Sequence, residues 1–295
     1  MQPAEARTGN IYDLGYRNYD GIRLGRRHAI TSLYWYTLRG AFGIGRRTSS
    51  KIIPVIITII AFIPAVGQLA IAALLSEEVE VYTPSSYFGY IEVPVALFCA
   101  AIAPEITGRD QRQRTLSLYF SRALRRRDYA LAKLAAFASA VMCLTLAPQA
   151  VLVIGNGLAS EDVWGYITDN WADLPRTVAS GVLLAVTAAC ACLAIASQTP
   201  RRAYASIAVV AWFLVTWPIS GILVTEVGGA GKFAALIAPF DFMHGATLWI
   251  FGAEAGRFSV QAESGFPLWV FAATVVAYAA AGFYFVIRRF DRIAA

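Results

Sequence analysis

The sequence has 295 residues, 58% of them hydrophobic and only 15% charged, with a formal net charge of +6. A soluble domain carries about 25% charged residues, so this balance excludes an ordinary water-soluble fold and points to a protein that faces lipid. The positive charge gathers in particular loops, which makes it a topology signal rather than a nucleic-acid footprint, and no nucleic-acid partner is expected.

Residues 1–51 are predicted as a cytoplasmic segment, mostly polar and unlike a secretory signal. Within "HAITSLYWYTLRGAFGIGRR", residues 28–47, helical spacing puts Ile30, Leu33, Tyr34, Leu38, Ala41 and Ile44 on one side and Ser32, Arg39, Gly43 and Arg47 on the other. Such a helix, flanked by Arg26, Arg27, Arg46 and Arg47, is expected to lie flat at the cytoplasmic interface. A basic linker that merely enforces orientation fits the same residues.

Six segments match the roughly 20 apolar residues needed to cross about 30 Å of hydrocarbon. They are 52–75, 87–106, 129–154, 178–197, 203–224 and 268–287, which makes 52–288 a six-helix transmembrane domain followed by a cytoplasmic tail at 289–295. The first, "IIPVIITIIAFIPAVGQLAIAALL", has no charge. "FAALIAPFDFMHGATLWIF", 233–251, is apolar but split by Pro239, Asp241 and His244. It is predicted as a broken or re-entrant element before the last span. Asp241 and His244 either form a pH-sensitive pair at the outer mouth or cap and pack this segment.

Lys and Arg stay on the cytoplasmic side of short loops. Of the 25 here, 22 fall before the first span, between the second and third, between the fourth and fifth, or after the sixth. Only Arg176, Lys232 and Arg257 are left for the opposite side, where "SEEVEVYTPSS" and "SEDVWGYITDNWADLP" hold acids and aromatics. Both termini are therefore expected in the cytoplasm.

Signals for catalysis are thin. "GGAGKF", 228–233, lacks the spacing and hydroxyl of a phosphate loop, and no H-E-x-x-H or G-x-S-x-G occurs. Cys99, Cys143, Cys190 and Cys192 fall inside spans with no acid or His to complete a metal site, so none is expected. Glu92, Glu105 and Glu226 fall near span ends, and the apolar span centres offer nothing to draw energy from an ion gradient. Work done by this protein would enter from outside the spans.

The entry point is expected between the second and third spans, where "IAPEITGRDQRQRTLSLYFSRALRRRDYALAKLAA", 102–136, holds eight Lys or Arg. Gly108 is predicted to interrupt the second span and Asp110 to cap a new helix. "QRQRTLSLYF" would then form about three turns ending in Leu116, Leu118, Tyr119 and Phe120. Charge alone fixes orientation and needs no such helix, which suits a docking element pushed by a soluble partner.

The order of these parts resembles the membrane permease subunits of ABC-2 type ATP-binding cassette transporters, the type V exporters, over nearly the whole chain. The most specific part is "PEITGRDQRQRTLSLYFSRALRRRDYALAK", similar to that family's acid at a span end, coupling helix, and aromatic-plus-Lys entry to the next span. "YRNYDGIRLGRR", 16–27, looks like a stretch common in actinobacterial members. The resemblance implies an all-α polytopic exporter subunit in a bacterial cytoplasmic membrane, working with a second permease copy or a related permease. It implies no cofactor on this chain, with ATP and Mg bound by a separate cytosolic ATPase. Glu105, Arg109, Asp110, Gln111, Arg112 and Arg114 would anchor or contact that ATPase, and Arg126, Asp128 and Lys133 would steady the return. The helix around Ile30–Ile44 would be the elbow, and 225–267, with Pro239, Asp241 and His244, a small extracellular gate. Long added domains of some family members have no counterpart here. A lipid-modifying membrane enzyme built on Glu226, Asp241, His244, Glu254 and Arg257, or a membrane scaffold or immunity protein, are the other readings. Substrate cannot be read from the sequence, because every such chain must be apolar toward lipid.

Overall fold

The computed structural model describes residues 21, 24–45, 49–75, 83–121, 124–160 and 162–292. Most of the 16–27 motif, Arg46 and Arg47, the acidic stretch at 76–82, Arg122 and the end of the tail at 293–295 lie outside these residues. Among the described residues there is no strand.

Among the described residues six helical spans are long and apolar enough to cross a membrane: Lys51–Ile71, Pro84–Arg112, Arg126–Leu158, Asp173–Ser197, Arg202–Val227 and Leu268–Arg292. They lie in α2 (Ser49–Leu75), α3 (Pro84–Arg112), α5 (Arg126–Ala159), α7 (Asp173–Ser197), the α8 (Arg202–Val210) to α9 (Thr216–Ile222) run, and α12 (Leu268–Arg292). Shorter helices are α1 (Gly25–Ala41), α4 (Leu116–Phe120), α6 (Val163–Asp169), α10 (Pro239–Phe251) and α11 (Val260–Glu263). The surface is apolar where lipid would lie: Ile52, Ile53, Ile56, Ile59 and Ile63 of α2 and Val276, Phe283 and Phe285 of α12 all face outward. In water such a surface would drive aggregation. Against hydrocarbon it carries no penalty.

The fourth span is the hub. In α7, 61% of the most apolar stretch is buried, against 28% for α2 and α12, and α7 packs on α3, α5 and α12. Small residues make this close packing possible, since helices in lipid associate by backbone approach rather than by a hydrophobic drive. Gly282 of α12 sits directly on the α7 backbone: a Cβ there would lie 2.6 Å from the Cys190 carbonyl carbon and 2.8 Å from the Ala191 nitrogen.

The fifth span is irregular. π-helical turns occupy Ala211–Val215 and Leu223–Val227. The first lies just before Pro218, whose ring and missing N–H disturb the regular ladder. A 3₁₀ segment, Gly229–Leu236, then joins α10 at a 79° bend. Pro239 starts α10 in its first turn, and Gly252 ends it with φ of 68°. This is the expected broken element, and it packs on α12, α3 and α7.

The connection between the second and third spans departs from expectation. α3 runs unbroken through Gly108 to Arg112, and the segment beyond it is the five-residue α4, not three turns. Gly108 is buried, and its missing Cβ leaves room for the Pro200 carbonyl, which a methyl would meet at 3.4 Å, and for the Arg112 guanidinium at 3.1 Å. The glycine serves packing rather than termination. The helix ends at Arg112 in a Schellman motif: Arg114, at φ of 52°, donates its N–H to the Gln111 carbonyl at 3.3 Å and Thr115 donates to Asp110 at 3.1 Å. The same motif ends α1 at Gly43, where Ile44 donates to the Arg39 carbonyl at 2.9 Å. Glycine fills the left-handed position there, whereas at Arg114 a side chain is held in it.

Candidate functional site

One end of the bundle collects α1, the end of α3, α4, the start of α5, the loop between α7 and α8, and the end of α12. At its centre the Lys133 ammonium meets the Asp110 carboxylate at 2.9 Å, with the two side chains 6% and 9% exposed. The Tyr129 hydroxyl donates to the same Asp110 oxygen at 2.6 Å. Tyr129 and Lys133 stand four residues apart on one face of α5, and the ammonium lies 5.4 Å from the Tyr129 ring centroid. Tyr119 and Phe120 of α4 and Phe290 of α12 surround that ring at 5.5, 5.9 and 5.3 Å. Burial, and then the neighbouring Asp110 charge, pushes the Tyr119 phenol up, so it stays neutral. Asp110 therefore does not cap a helix. It pins the last turn of α3 to the first turns of α5.

Further ties radiate from this centre. Arg26 of α1 grips Asp128 with both arms of its guanidinium, at 2.7 and 2.6 Å, a fork geometry suited to carboxylate. Asp128 also accepts the Arg125 N–H at 3.0 Å, holding the first turn of α5. Arg126 donates to the Asp291 carbonyl at 2.9 Å, and Arg127 pairs with the Asp291 carboxylate at 3.2 Å. Arg112 donates to the Pro200 carbonyl at 3.0 Å, and Glu105 draws Arg112 and Arg202 together at 3.6 and 3.7 Å. Arg289 donates to the Ser197 carbonyl at 3.1 Å. The ends of the second through sixth spans and α1 are thus joined side chain by side chain.

The nine residues named on this connection divide into two groups. Glu105, Asp110, Arg112, Arg126, Asp128 and Lys133 hold the spans to one another. Arg114 is exposed, Arg109 and Gln111 are half-buried, and the Gln111 side-chain nitrogen is buried without a hydrogen-bond partner. The outward surface of the turn and α4 consists of Gln113, Arg114, Ser117 and Leu118, the last 65% exposed.

Along α1 the residues expected on its apolar side are buried or half-buried, apart from Ile44. Leu33 and Ala41 are buried, Ile30, Tyr34 and Leu38 are half-buried, and α1 lies along α5. The Tyr34 hydroxyl donates to the Ser139 hydroxyl at 2.8 Å. Ile44, however, lies beyond the helix end and is exposed, and Gly43 is buried. Both follow from the Schellman turn, which swings the chain off the helix axis.

At the opposite end, Asp241 is 4% exposed in the first turn of α10. Its carboxylate borders Ser220, yet neither Asp241 Oδ2 nor Ser220 Oγ has a partner in hydrogen-bond geometry. Gln261 donates to the Asp241 backbone carbonyl at 2.8 Å. His244 lies against Gly89 of α3, where a Cβ would come within 3.8 Å of its Nδ1. No hydrogen bond or ion pair joins Asp241 to His244, nor any two of Glu226, Asp241, His244, Glu254 and Arg257. Among the described residues no three His, Cys, Asp or Glu side chains stand close enough to hold a metal ion.

Sequence reasoning missed Arg26, Arg202, Asp291 and the Pro200 carbonyl as partners in the network. Their charges were visible, but nothing in the linear order links residue 26 to 128 or 127 to 291. Only Tyr129 and Lys133 carried a signal, their four-residue spacing. Among known proteins, no family model and no curated protein matches the chain.

Proposed function

We propose that this chain is the permease subunit of an ATP-driven exporter of the ABC-2 type, set in a bacterial cytoplasmic membrane with its charged end in the cytoplasm. A separate cytosolic ATPase binds ATP and Mg, and a second permease copy, or a related one, completes the substrate path. The observation that carries this reading is the way the charged end is built. A small element with an exposed face, Gln113, Arg114, Ser117 and Leu118 around the buried Leu116, stands on a turn whose next residues are tied to five spans and the elbow. A force applied to α4 passes through Tyr119 and Phe120 to Tyr129, and from there to Asp110, Lys133 and Phe290. A loop that only fixed orientation would need positive charge but none of these internal ties. The concentration of Lys and Arg at this end supports its cytoplasmic placement, and the six apolar spans support a role within the membrane.

The test is association. The full chain is purified together with a candidate ATP-binding cassette ATPase subunit, and compared with Arg114→Asp and Leu118→Asp. These positions face outward, so neither change breaks an internal ion pair, and Asp is tolerated at the left-handed φ of residue 114. Loss of the ATPase from both variants with unchanged yield of the permease is the expected result. Retention of the ATPase by the double variant would remove the coupling assignment.

A further inference from the structure

A second feature of the charged end lies apart from the ion-paired network. Between α1 and the last turns of α3 is a cavity of about 700 Å³ whose lining includes Arg39, Arg109 and His28 and, among the described residues, no acidic side chain. Arg26, Arg112, Arg127, Arg176 and Arg202 each have a carboxylate within ion-pair distance. Among the described residues Arg39 and Arg109 have none. Two guanidinium groups lining one space without a counter-charge repel each other, and an anion between them would relieve that. The walls beside them are amphipathic. Trp35 and Tyr36 are 55% and 56% exposed and Ile44 is 58% exposed. Tryptophan and tyrosine favour the depth at which lipid headgroups meet acyl chains, and guanidinium forks match phosphate oxygens.

We infer that this cavity binds the phosphate of an anionic phospholipid headgroup, with Arg39 and Arg109 holding the charge and Trp35, Tyr36 and Ile44 facing the glycerol and acyl chains. α1 is then fixed from both sides, by Asp128 through Arg26 and by lipid through Arg39. The inference rests on this end lying at the membrane surface, not on the exporter reading, and its test contains no ATPase.

Full-length protein in neutral detergent is titrated with phosphatidylglycerol, phosphatidylcholine, inorganic phosphate or glycerol phosphate, and retained molecules are counted by native mass spectrometry. Phosphatidylglycerol should be retained in preference to phosphatidylcholine and to either soluble phosphate. Arg39→Gln should weaken retention roughly fivefold, and adding Arg109→Gln roughly fivefold again. Arg39→Lys, which keeps the charge, should lose less. Arg27→Gln, on the same helix but outside the cavity, should change retention by less than about twofold. Equal retention of the two lipids would overturn the inference. So would an equal effect of Arg27→Gln, which would indicate general surface attraction, or soluble phosphate binding as tightly as the lipid. Thermal unfolding of each lipid-free variant checks folding. Should the double variant unfold, the single Arg39→Gln and Arg39→Lys changes on the exposed face decide the outcome.

Discussion

The Lys133 ammonium and the Asp110 carboxylate are both nearly removed from solvent, so each depends on the other. Deleting one partner of a buried pair leaves an uncompensated charge, which costs about 3–5 kcal/mol, whereas replacing both with neutral groups is far cheaper. Lys133→Met should therefore lower the thermal unfolding midpoint of the purified protein sharply, and adding Asp110→Asn should restore much of the loss. An equal loss in the double variant would mean that packing, not charge pairing, sets the effect. At this scale the sequence revealed the residue types but not the pairs. Tyr129 and Lys133 share a helix face by spacing alone, while their meeting with Asp110 depends on the turn at Arg114. That turn was illegible because a left-handed residue is normally betrayed by glycine, and here the glycine signal at Gly108 belonged to a different task. The close approach of the Pro200 carbonyl to Gly108 is a tertiary fact with no local trace.

Helices in lipid gain little from burying apolar surface against one another, so shape governs which of them pack. The contact between α7 and α12 illustrates this, because at Gly282 even a methyl group would enter the α7 backbone. Gly282→Ala is expected to destabilise the protein by about 1–3 kcal/mol and to loosen α12, measured as a lower unfolding midpoint and faster hydrogen exchange in Leu268–Arg292. Unchanged exchange would show that the two helices separate without cost. The presence of six spans was legible, with ends that differ by up to six residues, since long apolar runs admit no other structure in a membrane. The break before the last span was legible too, from Pro239 in an apolar run. What periodicity could not give was the length of α4, because its residues are set by the Schellman turn before it and by the Tyr129 ring behind it.

At the scale of the whole molecule, the chain is a polarised object. One end is basic and cross-tied, and the other carries short loops and the bent 3₁₀–α10 element. Single cysteines in a cysteine-free background test its placement. Asn170→Cys and Ser86→Cys should react with a membrane-impermeant thiol reagent from outside intact cells, and Ser121→Cys should react only after permeabilisation. Labelling of Ser121→Cys from outside would invert the topology and with it the site of ATPase docking.

The central claim is that force from ATP hydrolysis enters through the exposed turn and α4 and spreads through the buried Asp110–Tyr129–Lys133 centre. Its most direct measurement is ATP hydrolysis by the proposed ATPase partner in proteoliposomes with this chain. Wild type should raise the hydrolysis rate, Leu118→Asp with Arg114→Asp should abolish the increase, and Lys133→Met with Asp110→Asn should keep the ATPase bound while reducing the increase. A rate that is the same with and without this chain, or undiminished in the Leu118→Asp, Arg114→Asp variant, would contradict the account.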